Sequence, residues 1–216
     1  MNNVLLEHFF PPKEPSSPLP RLRPHNSVPP LTTEEVATAL SMCSPTSAPG
    51  PDGIPYSTWK QVNKTNPSIL LQKLAPLILL GYHSASLKGL KGVVLHKPGK
   101  PLYETPSSFR INVLIRTFSN ILERIIAARL LTAARLRGLL HPKECGSLPG
   151  LSTYDACLTL TNDVKTLQRP RLKVSSQFLD IKAGFDNVDI NTLARIVREG
   201  GIPPFLVSRA SSFLEE

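Results

Sequence analysis

The sequence predicts a mixed fold of the α/β (α+β) class in which helices predominate. Apolar residues recur every three or four positions over several long stretches, which is the spacing of an amphipathic helix. Two short runs rich in β-branched residues flank a Pro-Gly pair and predict a hairpin, and a further apolar run before residue 180 predicts a third strand. With 41% hydrophobic and 19% charged residues, the composition is that of a globular protein with a core.

Charge and cysteine content restrict the class of protein. A net charge of +9 favours polyanionic partners, although an ordinary basic surface is the alternative. Three widely spaced cysteines without a CxxC pair predict neither a disulfide framework nor a zinc knuckle. The first ten residues lack the features of a signal peptide, and the most apolar stretch, residues 68–82, is too short and too interrupted to span a bilayer. We therefore expect an intracellular protein of the nucleus or cytoplasm, neither secreted nor associated with a membrane.

The chain divides into two predicted parts, residues 1–30 and residues 31–216. Residues 11–30, PPKEPSSPLPRLRPHNSVPP, are rich in proline and contain little apolar material to bury, so residues 1–30 are expected to be a poorly ordered linker or tail. A docking site for a proline-reading partner is the alternative.

The first helices are predicted from their caps. Thr32 and Glu35 form a capping-box pattern before an apolar repeat. The following SAPGPDGIP is a dense turn signal, and a short helix over residues 56–62 comes after it. Pro67 suits the first turn of the next helix, whereas Pro76 inside that helix predicts a kink or a break.

The segment GVVLHKPGKP predicts the first strand and the turn of a hairpin. Lys97 and Lys100 lie at the edges of the Pro98-Gly99 turn, and FRINVLI supplies the second strand. The two strands predict a basic, hairpin-like projection.

Two long helices are predicted after the hairpin. Thr117 is expected to cap the first, TFSNILERIIAARLLTAARLRG, and Gly138 to end it. Its three arginines predict a solvated face, with nucleic-acid contact as the alternative; they are Arg124, Arg129 and Arg135. Ser152 and Asp155 begin the second helix, STYDACLTLTNDVKTLQ. Its predicted buried face consists of Ala156, Leu160, Val164 and Leu167.

The last part of the chain predicts a strand and two helices. The strand covers residues 172–181. Asp189 or Asn187 caps the next helix, which Gly200-Gly201 ends, and a final helix continues to Glu216. The inward residues of the first of these helices are predicted to be Leu193, Ile196 and Val197.

The stretch FLDIKAGFDNVD carries the candidate chemistry. Asp180, at the end of a strand, suits a Mg²⁺ ion that also binds substrate phosphates, as in two-metal nucleotidyl transfer. Alternatively, Asp180 ends a strand and Asp186 caps a turn. Lys97, Lys100 and Arg110 would suit a triphosphate, although each alone is more simply a surface charge.

Six motifs in order resemble the amino-terminal half of the reverse transcriptase of non-LTR, LINE-like retrotransposons. They are SAPGPDGIP, VVLHKPGKP, FRINVL, SNILERIIAARL, CGSLPGLSTYDA and FLDIKAGFDNVD. The resemblance covers roughly residues 31–216. It implies an incomplete right-hand polymerase fold, with helix-rich fingers over about residues 31–170 and the start of the palm over about residues 171–216.

The resemblance also implies residue roles. Asp180 would be a catalytic metal ligand, helped by the backbone carbonyl of Ile181, and Phe185 would be the gate that disfavours a 2′-hydroxyl. Arg110, with Lys97 or Lys100, would contact the incoming nucleotide. Asp186 is a weaker catalytic candidate, more plausibly structural or close to the sugar. For APGPDG, residues 48–53, a structural turn is favoured and template contact comes second.

The implied activity is RNA-directed DNA polymerisation. Its partners would be an RNA template, a DNA primer and deoxynucleotide triphosphates, with a two-metal Mg²⁺ site in the complete enzyme. The chain has no adjacent Asp-Asp pair, which is the family's second catalytic motif. We therefore expect this chain to be inactive alone, and a non-catalytic, basic nucleic-acid-binding module of the same origin is the alternative.

The sequence departs from the family pattern at four further positions. Ile111-Asn112 replaces Pro-Ile, and a buried Asn112 without partners would cost about 1–3 kcal/mol. Asn120 stands where lysine is common, which removes a basic contact. Gly184 replaces an alanine and loosens the backbone.

Overall fold

A computed structural model describes residues 28–99, 102–168, 173–181, 184 and 187–214. Seven helices and two strands are present in these residues. The helices are α1 (Thr33–Ser41), α2 (Tyr56–Thr65), α3 (Pro67–Leu79), α4 (Thr117–Leu136), α5 (Thr153–Gln168), α6 (Ile190–Glu199) and α7 (Pro204–Leu214). The strands are β1 (Leu90–His96) and β2 (Phe109–Ile115), and short 3₁₀ turns cover Ala85–Leu87 and Pro106–Ser108. This combination of helices with a small antiparallel sheet confirms the predicted α+β class.

The core is helical and is built by α1, α3, α4 and α7. Apolar residues at helical spacing face one another there because burying them removes apolar surface from water. The fully buried members include Val36, Leu70, Leu74, Ile78, Ile121, Leu122, Leu206 and Val207. No helix in the described ranges is both long enough and apolar enough to cross a membrane.

The predicted cap of α1 and the predicted first turn of α3 are confirmed. Thr32 Oγ1 accepts a hydrogen bond from the Glu35 amide, and the Glu35 carboxylate accepts one from the Thr32 amide. Pro67 begins α3. Of the kink or break predicted at Pro76, the break does not occur, because α3 continues to Leu79; Leu74 and Ile78, on either side of Pro76, are both buried in the core and hold the helix together across the missing N–H.

The predicted hairpin is confirmed. β1 and β2 are antiparallel, with a register that runs from Leu90 opposite Ile115 to His96 opposite Phe109. Phe109 is the only buried residue of the two strands, and it is not part of the helical core. The hairpin therefore projects from the core, as the sequence predicts.

The strand predicted over residues 172–181 is wrong for its described part, residues 173–181, which form no ladder. Phe178 and Leu179 are 81% and 82% exposed. A strand needs a neighbour to pair its N–H and C=O groups, and the only sheet among the described residues is the β1–β2 hairpin.

The predicted buried face of α5 is also wrong. None of its residues is buried, and Leu160 and Leu167 are 41% and 46% exposed. The helix itself is as predicted, since Asp155 accepts hydrogen bonds from the amide and the hydroxyl of Ser152. Val164 is half-buried, and none of the apolar residues of α5 is fully covered by the described chain.

Helices α6 and α7 return to the core. Asp189, one of the two predicted caps, accepts hydrogen bonds from the Asn191 and Thr192 amides. The inward face of α6 is only partly as predicted: Val197 packs against the core, but Leu193 and Ile196 are exposed, and Ala194 is the buried residue instead. The physical reason is that α6 approaches the rest of the molecule through its carboxyl end, where a Cβ on Gly200 would lie 2.8 Å from the Leu139 side chain.

Candidate functional site

The hairpin has two chemically different faces. Residues directly opposite one another on paired strands point to the same side, and so does every second residue along a strand. Lys91, Asn112 and Arg110 therefore share one face, here called the charged face, and their cross-strand partners Leu114, Val93 and Leu95 lie on it too. The other face carries apolar residues that include Leu90, Val94 and Val113, which are 44–51% exposed.

Arg110 lies on the charged face, opposite Leu95, and it is exposed. Its guanidinium makes no hydrogen bond or ion pair with a described residue, so its five side-chain N–H donors face solvent. Asn112 is exposed as well. The expected penalty for burying Asn112 therefore does not arise.

Lys97 is held within the hairpin. Its Nζ donates to the Ser107 carbonyl at 3.0 Å, and its amide donates to the Ser108 carbonyl at 2.9 Å. Its own carbonyl accepts from the Tyr103 hydroxyl at 3.0 Å. Lys97 thus ties the two ends of the connecting segment together, which the sequence analysis did not foresee. Lys100 lies outside the described residues.

Three rings, His96, Tyr103 and Phe109, form a tip cluster that the sequence analysis missed. The centroid of His96 lies 4.6 Å from that of Tyr103 and 5.1 Å from that of Phe109. The Ser108 hydroxyl donates to the Leu102 carbonyl at 2.9 Å beside them. The cluster stabilises the far end of the hairpin without help from the helical core, and the signal for it was the aromatic residue at each strand end.

The hairpin base, formed by Gly50, Ile115 and Thr117, joins the hairpin to the core. The predicted capping role of Thr117 is wrong, because α4 has Arg116 at its N-cap and no side-chain cap. Thr117 Oγ1 instead donates to the Ile54 carbonyl and accepts from Trp59 Nε1, both at 2.8 Å. Thr117 is 1% exposed, and this burial favours bonds to the core over a cap.

Asp180 and Ile181 lie in the exposed segment that follows residue 172. Ile181 is 80% exposed, and Asp180 is exposed too. Phe185 and Asp186 lie outside the described residues. No group of three or more His, Cys, Asp or Glu side chains in the described ranges could hold a metal ion. Around Asp180 and the Ile181 carbonyl, most positions of a Mg²⁺ ion would therefore be left to waters and substrate phosphates or to residues outside the described ranges.

The arginines of α4 do not form one solvated face. The side chain of Arg129 is only 12% exposed and pairs with Glu35 at 2.7 Å. Its Nη1 and Nη2 also donate to the Pro29 and Pro30 carbonyls. This guanidinium holds the pKa of the Glu35 carboxyl below its ordinary value.

The other two arginines of α4 differ from Arg129. Arg124 Nε donates to Asn120 Oδ1 at 3.1 Å, so Asn120 binds an arginine of its own helix. Arg135 is exposed, as predicted. Only part of the predicted basic face is therefore available to a partner.

A buried polar cluster joins α4 and α7. Ser119 Oγ donates to Glu123 at 3.0 Å and lies 3.2 Å from His83 Nε2. Arg209, which is 2% exposed, donates to the Tyr82 carbonyl. Burial lowers the pKa of His83 to about 4 and that of Arg209 to about 10, and it raises the pKa of Glu123.

Within this cluster His83 Nδ1 and Arg209 Nη2 have no partner among the described residues. The cluster was not predictable from the sequence because its members come from three separate segments of the chain. It has the character of a structural element, since its groups are buried and do not line the charged face.

Comparisons with known proteins identify relatives of this chain. It is 33% identical over 192 residues to a putative 115 kDa protein in the type-1 retrotransposable element R1DM of Drosophila melanogaster, covering 86% of this chain and 18% of that protein. It is 29% identical over 156 residues to the probable RNA-directed DNA polymerase from transposon X-element of the same species, covering 71% and 17%.

A third relative is the RNA-directed DNA polymerase from mobile element jockey of Drosophila funebris. The identity is 25% over 159 residues, which cover 74% of this chain and 17% of the relative. The chain thus spans about a sixth to a fifth of the length of the curated relatives it matches. No family model matches it.

Proposed function

Because this chain is related in sequence to the RNA-directed DNA polymerases of non-LTR retrotransposons, we propose that it is a fragment of such a reverse transcriptase, comprising the fingers and the first part of the palm. The complete enzyme would extend a DNA primer along an RNA template. The observation that carries the proposal is the extent of the similarity. A match over 86% of the chain leaves about 30 residues outside it, so both the hairpin and Asp180 fall within the matched region.

The hairpin is proposed to bind phosphates. Arg110 is exposed on the charged face with all its donors free of described partners, and a guanidinium fork fits phosphate oxygens in pairs. Lys91 lies on the same face and adds a second positive charge. Lys97 is assigned mainly to holding the hairpin together, because its ammonium already donates to a carbonyl.

The chain alone is proposed to be inactive as a polymerase. Asp180 is its proposed metal ligand, with the Ile181 carbonyl, but the described residues offer no carboxylate cluster around it. Phe185 as a sugar gate and Asp186 as a supporting residue remain part of the same proposal. Nucleotidyl transfer through two metals requires several carboxylates held together.

Primer extension tests this proposal. The purified chain is incubated with Mg²⁺, deoxynucleotide triphosphates and an RNA template annealed to a DNA primer, and a complete reverse transcriptase is assayed in parallel. We expect no extension by this chain. Extension that Asp180→Ala abolishes would show the chain to be an active enzyme and would overturn the proposed inactivity.

A second candidate function is a non-catalytic, nucleic-acid-binding module. It is favoured by the net charge of +9 together with the exposed charged face. Binding through phosphates would be tolerant of sequence and would weaken steeply with salt, because each neutralised phosphate releases counterions. Salt-sensitive oligonucleotide binding without extension supports this module, and absence of binding at 50 mM salt contradicts it.

A further inference from the structure

The loop SAPGPDGIP has no role in the function proposed so far. Gly50 of this loop is buried, and a Cβ at this position would lie 2.4 Å from the Ile115 carbonyl oxygen and 2.7 Å from the Arg116 nitrogen. Real Cβ atoms do not approach backbone atoms this closely, and backbone cannot swing aside as a flexible side chain can. Only glycine fits here without moving the end of β2.

The contact occurs at the point where the hairpin is attached. β2 ends at Ile115 and α4 begins at Thr117, so Arg116 alone separates strand from helix. On the other strand, Gly89 immediately precedes β1, and its Cβ position lies 3.6 Å from Arg116 Nε. The start of β1 and the end of β2 therefore both lie beside Arg116.

The same loop is fastened to α4 by hydrogen bonds. Thr117 Oγ1 donates to the carbonyl of Ile54, near the end of the loop, and accepts from Trp59 Nε1. Trp59 also packs on Phe118 with ring centroids 5.3 Å apart. Within the loop, the Gly53 amide donates to the Gly50 carbonyl at 3.1 Å, which closes the turn. Gly50 thus packs closely against the end of β2, and the loop that carries Gly50 is itself held to α4 by hydrogen bonds.

The hairpin has little else to orient it. Neither strand buries a side chain in the helical core, and its one buried residue, Phe109, is covered by the tip cluster. Seven residues of strand span about 23 Å. A tilt that displaces the end of one strand by about 1 Å at the base therefore moves the tip by a larger distance. The direction of the charged face therefore depends on the hairpin base.

We propose that Gly50 and Thr117 are positioning residues that set the orientation of the β1–β2 hairpin, and with it Arg110, relative to the helical core. The role assigned to Arg110 rests on the proposed function, whereas the orientation itself does not. The substitution Gly50→Ala forces the end of β2 away from the loop. Thr117→Val removes both hydrogen bonds with little change in shape, and Thr117→Ser keeps them.

The orientation is measured on the full chain by the distance between two spin labels. One label is attached through Leu102→Cys near the tip and the other through Leu136→Cys at the end of α4, where both side chains are exposed. Cys145→Ser and Cys157→Ser remove the accessible thiols, while Cys43 is buried and remains. Gly92→Ala is the matched control, because its Cβ meets its nearest atom at an ordinary 3.7 Å.

We expect Gly50→Ala and Thr117→Val to shift the label distance by several ångströms or to broaden its distribution markedly. Gly92→Ala and Thr117→Ser should leave the distance unchanged. An unchanged distance in folded Gly50→Ala, or an equal shift in Gly92→Ala, would overturn the proposal. If Gly50→Ala does not fold, the Thr117→Val and Thr117→Ser pair decides the question by the same criterion.

Binding of a fluorescent single-stranded oligonucleotide separates this inference from the proposed function. Arg110→Ala should weaken binding severalfold in the parent and in Gly92→Ala, but by less than about twofold in Gly50→Ala, because coupled positions are not additive. A full effect of Arg110→Ala in Gly50→Ala would contradict positioning. Absence of binding by the parent protein would contradict the proposed function, while the label distances would still decide whether Gly50 orients the hairpin.

Discussion

The guanidinium of Arg129 binds both carboxylate oxygens of Glu35, with Nε–Oε1 and Nη2–Oε2 distances of 2.7 Å. The same carboxylate closes the capping box of α1, and the same guanidinium binds two proline carbonyls before that helix. One side chain of α4 therefore fixes the start of α1 and the course of the chain that leads into it.

Replacing this arginine should destabilise the fold. Arg129→Ala is expected to lower the free energy of unfolding by about 2 kcal/mol, between the values typical of exposed and of buried pairs. Arg129→Lys should restore only part of this loss, since an ammonium does not reproduce the planar fork. Urea unfolding at pH 7 measures both changes.

The exposed pair of Arg195 and Glu199 provides the control for this measurement. Their side chains are 59% and 62% exposed, so Arg195→Ala should change stability by less than about 0.5 kcal/mol. Equal losses for Arg129→Ala and Arg195→Ala would show that the buried bidentate geometry has no special weight.

Stability should depend on the protonation of His83. The pKa of its imidazole is lowered to about 4 in the fold from an ordinary 6.5, because the ring is buried. Between pH 6.5 and pH 4 the imidazole is therefore protonated in the unfolded chain but not in the folded one. The contribution of neutral His83 to the free energy of unfolding is complete above pH 6.5 and is lost as the pH falls toward 4. The loss is at most about 3 kcal/mol.

The variant His83→Gln tests this dependence. Glutamine keeps a donor toward Ser119 but does not titrate, so the fall in stability between pH 6.5 and 4 should be smaller than in the parent protein. The raised pKa of Glu123 increases stability as the pH falls, which is opposite to the effect of His83. This contribution is present in both proteins and cancels when their curves are compared. His141→Gln changes an exposed residue and should reproduce the parent curve. Identical curves for His83→Gln and the parent would refute the assignment.

Arg110 should contribute to the salt dependence of oligonucleotide binding. Removing one phosphate contact from a single strand lowers the slope of log K against log salt by about 0.7. Arg110→Ala is expected to give this change in fluorescence anisotropy titrations from 50 to 200 mM salt. Lys73→Ala, an exposed cation on α3, is the control and should leave the slope unaltered. If Arg110→Ala has the same slope of log K against log salt as the parent protein, Arg110 does not contact a phosphate of the oligonucleotide.

The tip cluster should determine the local stability of the hairpin. Tyr103→Phe loses the bond to the Lys97 carbonyl, and we expect about 1 kcal/mol less protection of the β1 and β2 amides in hydrogen exchange. Tyr103→Ala also loses the ring contacts and should reduce protection further. Amides of α1 and α3 should keep their protection in both variants. A loss spread equally over the helices would show that the hairpin is not an independent unit.

Features encoded within a few residues were predictable from the sequence. The capping box at Thr32, the bonds between Ser152 and Asp155 at the start of α5, the first turn at Pro67 and the two strands of the hairpin all depend on neighbours in the chain, and all are confirmed. Gly138 adopts φ 64° just after α4, as expected for a residue that ends a helix.

Features that depend on distant partners were not predictable. Thr117 has the residue type of a cap, but its partners Ile54 and Trp59 lie 63 and 58 positions away. Arg129 has the pattern of a surface charge, but Glu35 lies 94 positions away. An apolar stripe indicates which side of a helix prefers burial, but it does not supply the neighbour, and α5 lacks one in the described chain.

The isolation of α5 has a consequence for how the molecule melts. A helix of 16 residues that buries none of them depends mainly on its intrinsic propensity, its cap and the exposed ion pair of Asp163 with Lys143, and such a helix is marginal in water. Heating should therefore reduce far-ultraviolet ellipticity gradually before the cooperative transition, whereas fluorescence of Trp59, which packs on the core, should change only at that transition. The two probes would give different midpoints, so a single melting temperature would not describe this chain.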